Sequence, residues 1–120
     1  VGVATWLDSE EQMDAVTALS GSGPAYFFYF MELMESHAIE MGLNKEDAKL
    51  LTIETALGAA KMALLSSFDL KTLRKQVTST GGTTEKALNI FMEGKLDELV
   101  NNAMDAAKNQ SIELSKSFKD

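Results

Sequence analysis

Pro24-Ala25-Tyr26-Phe27-Phe28-Tyr29-Phe30-Met31 (PAYFFYFM) says more about the architecture than any other stretch of these 120 residues. Proline is welcome in the first turn of a helix, where its missing N–H has no internal partner to lose. Gly42 then offers a C-terminal stop, so the spacing predicts one helix from Pro24 to about Met41. The first half, AYFFYFM, is apolar on every side, and a helix hydrophobic all round must be surrounded by protein. One domain of this length offers few places to bury such a helix, so a second chain is its natural cover.

Outward from that helix every strong pattern keeps helical period, with no run of alternating strand character. Upstream, Asp8 with Glu11, or Ser9 with Gln12, can form a capping box. Met13, Val16 and Leu19 give an apolar stripe that ends at a break, Ser20-Gly21-Ser22-Gly23. Downstream, Asn44 caps a third helix reaching about Leu65, with Glu46 and Asp47 placed well for its dipole. Ala48, Thr52, Ala56 or Ala59, Ala60 and Ala63 give that helix a face of small side chains suited to close crossings. Asp69 caps a short fourth helix through Val77, and Thr83 or Gly82 begins a fifth that ends near Gly94. The last helix carries Leu96, Leu99, Val100, Ala103, Ala107, Leu114 and Phe118 at spacings of three and four. The expected fold is one all-α domain of five or six helices.

Composition excludes several functions. The balance of 45% hydrophobic and 24% charged residues suits a soluble globular protein. The absence of cysteine removes disulfides, thiolate zinc sites and cysteine nucleophiles, and fits a reducing, cytoplasmic setting. A net charge of −7 argues against nucleic acid and against anionic membrane surfaces. The PAYFFYFM run falls well short of the roughly 20 residues of a membrane span. The start VGVATWLDSEE lacks the basic-then-apolar order of a signal peptide.

Chemistry points to Val77–Thr84 (VTSTGGTT). Two adjacent glycines, two threonines and a helix start make a turn whose N–H groups can converge on one spot. The helix start adds partial positive charge, so a carboxylate or phosphate could be held there, with hydroxyls from Ser79, Thr83 and Thr84. The same residues also make a plain interhelix turn, and Ser-Gly-Ser-Gly-Pro reads equally well as capping alone. His37 has no convincing Ser or Cys partner and reads as a helix-face residue. Glu32, Glu35 and Glu40 read as a solvated stripe rather than a metal site. Tyr26 and Tyr29 suit a core or an interface.

Four segments in order resemble the pyrroline-5-carboxylate reductases: DAVTALSGSGPAY at Asp14–Tyr26, MGLNKEDA at Met41–Ala48, LGAAKM at Leu57–Met62, and LRKQVTSTGGTTEKAL at Leu73–Leu88. The last resembles that family's signature segment. The resemblance implies a helical C-terminal domain like that of 6-phosphogluconate dehydrogenase, forming an interlocked homodimer beside a Rossmann domain that holds NADPH or NADH. It implies reduction of the imine of 1-pyrroline-5-carboxylate to L-proline. Ser79, Gly81, Gly82, Thr83 and Thr84 would bind the substrate carboxylate, and Thr84 would lie near the ring nitrogen as the catalytic residue. Thr80 stands where the family usually has proline, and Asp69-Leu70 stands where many members have His-Pro. No Gly-X-Gly-X-X-Gly follows a strand, so the dinucleotide site is expected outside these residues, with the chain inactive by itself. Two other readings stand beside this one. One is a purely structural dimerisation module. The other is a hydroxyacid-type dehydrogenase, with Lys61 of GAAKM in the place of its catalytic lysine. NADH against NADPH, and assembly beyond the dimer, stay open.

Overall fold

A computed structural model of the chain describes residues 10–119, with side chains from Glu11 to Ser117. The capping residues Asp8 and Ser9 and the side chain of Phe118 lie outside that range. Among the described residues the elements are α1 (Glu10–Val16), a π-helical segment (Thr17–Gly21), α2 (Gly23–Glu40), α3 (Lys45–Leu65), α4 (Leu70–Gln76), α5 (Thr83–Glu93) and α6 (Leu96–Lys119). The fold is all-α, as the periodicity predicts, and none of the described helices is long and apolar enough to cross a membrane.

The helix boundaries follow their local chemistry. Asn44 accepts from the Asp47 N–H at 2.8 Å and caps α3. Asp69 does the same for α4 through the Thr72 N–H, also at 2.8 Å. Helix α2 ends at Gly42, whose φ of +111° permits a left-handed close. There the Leu43 N–H reaches the Ala38 carbonyl and the Gly42 N–H reaches that of Ile39, the paired bonds of a Schellman cap. Helix α5 is capped at Gly94, but the left-handed residue is Lys95, at φ +58°.

The expected break at Ser20–Gly23 is not a break. The backbone stays helical there with its register widened by one residue: the Ser22 N–H donates to the Thr17 carbonyl at 2.8 Å. Pro24 supplies the reason, because it has no N–H and its ring crowds the carbonyl four residues back. Hydroxyls stitch the segment. Thr17 Oγ1 donates to the Met13 carbonyl, Ser20 Oγ to that of Val16, and Tyr26 Oη to that of Ala18 at 2.7 Å. Ser22 is the C-cap of the π-helical segment and its junction with α2, which begins at Gly23.

The chain packs as two compact units. One joins the segment ending at Tyr26 to the segment beginning at Lys95. Within it α6 lies against α1 and the π-helical segment. Ser111 Oγ donates to Asp14 Oδ1 at 2.7 Å, and Lys108 meets Glu11 at 3.3 Å. The other unit is Phe27–Gly94. Its buried side chains are small: Ala48 and Thr52, with Thr52 Oγ1 bonded to the Ala48 carbonyl. Of the small-residue face predicted on α3, Ala56 and Ala63 are half-buried, while Ala59 and Ala60 are exposed. Phe27, Phe28 and Tyr29 are exposed to 69%, 67% and 62%. Phe30 makes a tilted ring contact with Phe91. The aromatic surface of α2 is thus left uncovered within one chain.

Candidate functional site

Helix α4 ends at Gln76, and the six residues 77–82 form a compact connection to α5. Thr78 closes the α4 end: its N–H reaches the Lys75 carbonyl and its hydroxyl the Arg74 carbonyl, the latter at 2.6 Å. Ser79 to Gly82 then make a β-turn. The Gly82 N–H donates to the Ser79 carbonyl at 3.1 Å, and Gly81, third in the turn, has φ +76°. That bond and that angle define a type II turn, in which the third position needs positive φ and so favours glycine. The left-handed glycine is Gly81 and not Gly82, which sits at φ −85° as the N-cap of α5. A methyl on Gly82 would lie 3.2 Å from the Ser79 carbonyl oxygen, so the second glycine answers to crowding within the turn.

Thr83 is the first residue of α5, and no side chain caps this helix. The N–H groups of Thr83, Thr84 and Glu85 have no partner among the described residues, and neither do the hydroxyls of Ser79, Thr83 and Thr84. Ser79, Gly81, Thr83 and Thr84 are exposed. The five residues marked by the sequence therefore lie together in the turn and the first two residues of α5, with donors left unpaired among the described residues. The orphan amides of a helix start, partly positive, favour an anion.

One participant was missed. Glu85 folds back so that its Oε1 accepts from the Gly81 N–H at 3.0 Å. A Glu three residues past an N-cap is half of a capping-box pattern, and that signal stood in Gly82-Thr83-Thr84-Glu85. Beside it a pocket of about 170 Å³ is lined by Arg74, Lys75, Thr78, Glu85, Leu88, Asn89 and Met92.

The remaining candidates lie elsewhere. His37 pairs with Glu40 at 2.9 Å on an exposed last turn of α2. Glu32 and Glu35 border an open groove that also takes in Lys49 and Thr52, and no cluster suited to a metal ion occurs among the described residues. Tyr26 is spent on the Ala18 carbonyl. Lys61 is an exposed residue of α3.

An all-α chain with an uncovered aromatic helix defines a helical association domain. Residues 10–114 match the family model described as pyrroline-5-carboxylate reductase dimerisation, and the chain belongs to that family. It is 51% identical over 116 residues to the pyrroline-5-carboxylate reductase of Pseudomonas aeruginosa, covering 97% of this chain and 42% of that one. Among solved structures, a pyrroline-5-carboxylate reductase from Coxiella burnetii superposes with a TM-score of 0.91 at 49% identity, over 95% of this chain and 42% of the other. A Plasmodium falciparum pyrroline carboxylate reductase with NADP bound follows at 0.82 and 33%, over 87% and 40%. The chain thus spans about two fifths of the length of these relatives.

Proposed function

We propose that residues 1–120 form the dimerising and substrate-binding domain of a cytoplasmic pyrroline-5-carboxylate reductase, one that makes L-proline from 1-pyrroline-5-carboxylate with NADPH or NADH. The observation that carries this reading is the turn and helix start at residues 79–85, where the hydroxyls of Ser79, Thr83 and Thr84 and the amides of Thr83, Thr84 and Glu85 have no partner among the described residues. The substrate carboxylate would take the Thr83 and Thr84 amides and the Ser79 hydroxyl. Thr84 would contact the substrate through its hydroxyl, on the ring-nitrogen side. The aromatic face of α2 would be covered by a second copy.

The dinucleotide does not fit these residues. The described residues contain no strand, and so none of the strand–glycine–helix turns that cradle a pyrophosphate. Any nicotinamide would be held by residues outside these 120, and the chain by itself is expected to turn over no substrate. What it contributes is the anchor and orientation of the carboxylate.

Thr84→Val, made in the reductase that carries both halves, tests the assignment. The swap keeps the side chain's shape and deletes one hydroxyl. Losing a hydrogen bond to a charged group costs about 1.5–3 kcal/mol, a ten- to hundredfold fall in kcat/KM. The melt should hardly move, because the Thr84 hydroxyl makes no hydrogen bond among the described residues and Gly82, not a threonine, holds the cap position. Kinetics within twofold of the unsubstituted enzyme would remove the support for a carboxylate site here. A total lack of turnover by the unsubstituted protein would favour the structural module instead.

A further inference from the structure

The type II turn at Ser79–Gly82 has a near alternative, because types I and II share the outer bond and differ mainly by rotation of the central peptide. In this turn the central peptide joins Thr80 to Gly81. Its N–H is the one that Glu85 Oε1 accepts at 3.0 Å. A half rotation would replace that N–H by the Thr80 carbonyl oxygen, which would then face the Glu85 carboxylate. Two acceptors would meet where a donor now meets an acceptor.

Thr80 itself does little to hold the turn. It occupies the second position, where a proline would pre-set φ near −65°. As threonine it leaves that angle free, and it makes no hydrogen bond among the described residues. Glycine at 81 accepts either sign of φ. The two central residues are thus both permissive, and the Glu85 tie is the contact that selects between their conformers. Resting on the carboxylate reading above, we infer that Glu85 is a positioning residue for substrate. It holds the Thr80–Gly81 peptide with its carbonyl turned away from the first turn of α5. With the tie gone, the peptide rotates in part of the molecules, and an oxygen faces the side from which the Thr83 and Thr84 amides receive an anion. Fewer molecules are then competent, and apparent affinity falls by that fraction.

The test is a set of variants in the reductase carrying both halves, read as KM and kcat for pyrroline-5-carboxylate beside a thermal melt. Glu85→Ala should raise KM about five- to tenfold and leave kcat within about twofold. Glu85→Gln keeps an acceptor oxygen and should restore KM to within about twofold. Gly81→Ala disfavours the positive φ of the present conformer and so promotes the same rotation. The effect of Glu85→Ala on KM should therefore largely vanish in the Gly81→Ala background, a non-additivity that a double-mutant cycle measures. A lower KM for Glu85→Ala would mean that its charge merely competes with substrate, and would overturn the inference. So would a lower melting temperature with KM unmoved, the mark of a plain helix cap. Strict additivity with Gly81→Ala would overturn it as well. Failure of the carboxylate site itself reads differently: Thr84→Val would then be silent, whereas failure of this inference leaves Thr84→Val impaired and Glu85→Ala silent.

Discussion

Ser111→Ala removes one oxygen atom, and the structure assigns it a cost out of proportion to its size. Ser111 Oγ donates to Asp14 Oδ1 at 2.7 Å, joining α6 to α1 across 97 residues of sequence. Asp14 is only 9% exposed, and Ser111 is the one hydrogen-bonding partner of its carboxylate among the described residues. Deleting the hydroxyl leaves a carboxylate largely shielded from water and short of a donor, which costs about 1–3 kcal/mol. The neighbouring Lys108–Glu11 pair is the internal control. It links the same two helices at 3.3 Å, but the Glu11 side chain is 79% exposed, and surface pairs of this kind are worth about 0–1 kcal/mol. Urea denaturation at one fixed protein concentration should therefore show Ser111→Ala clearly destabilised and Lys108→Ala barely so. Added salt should erase what Lys108→Ala loses and leave the Ser111→Ala loss standing. Equal small effects from both, each under about 0.5 kcal/mol, would refute the argument that burial of Asp14 makes this bond matter.

Further expectations follow from the loops and from the aromatic helix. The chain should form a dimer whose interface is larger and more apolar than the usual size, and light scattering that shows a monodisperse monomer at low micromolar concentration would sink that expectation. Gly82→Ala should cost less stability than Gly81→Ala: its methyl has only to displace the Ser79 carbonyl by a few tenths of an ångström, whereas an alanine at 81 must adopt φ +76°, a conformation that costs about 1–2 kcal/mol. A calorimetric ranking in the opposite order would contradict the turn geometry. The side-chain hydrogen bond from Thr72, followed by its backbone N–H, holds the Asp69 carboxyl below its ordinary value. Its charge therefore stabilises α4 above the unfolded pKa, near 3.9, and that contribution is lost as pH falls through the lower folded value. Asp69→Asn keeps a good cap without the charge, so the melting difference from the unsubstituted chain should shrink between pH 5 and pH 2, and a difference that is flat with pH would count against it.

Most of the fold was legible because its signals are local. Asn44 with Asp47, Asp69 with Thr72, and Gly42 each settle a helix end within four residues, and each is found bonded as its chemistry requires. The turn between α4 and α5 was legible for the same reason, since Ser79 to Thr84 are consecutive. The π-helical segment was not. Ser-Gly-Ser-Gly-Pro is the chemistry of a break, and a five-residue change of register is too short to leave a period that a reader could count. The Asp14–Ser111 bond had no local signal at all, because nothing near residue 14 names a partner 97 positions away. Lys95 left no signal either. With Gly94 beside it, the left-handed place at the end of α5 would be assigned to glycine, yet Gly94 lies at φ −76° and the lysine takes the positive angle.

The exposed aromatic face bears on how every loop variant must be measured. Within Phe27–Gly94 the buried side chains are no larger than Ala48 and Thr52, while Phe27, Phe28 and Tyr29 each keep more than half their surface. Burying one such ring is worth about 1.5–3 kcal/mol, so three rings on each of two copies amount to a substantial share of the 5–15 kcal/mol by which a domain is stable. If a second copy supplies that cover, folding and association are one equilibrium, and apparent stability rises with protein concentration. A substitution in the turn that costs 1–2 kcal/mol would then lower activity in a dilute assay simply by releasing monomer. That loss would appear in kcat per chain, because the dimers that remain bind substrate normally. A defect in the carboxylate site would appear in KM and persist at every concentration. Kinetics of each variant at two enzyme concentrations tenfold apart separate the two causes. A KM effect of Glu85→Ala that disappears at the higher concentration belongs to assembly and not to the turn.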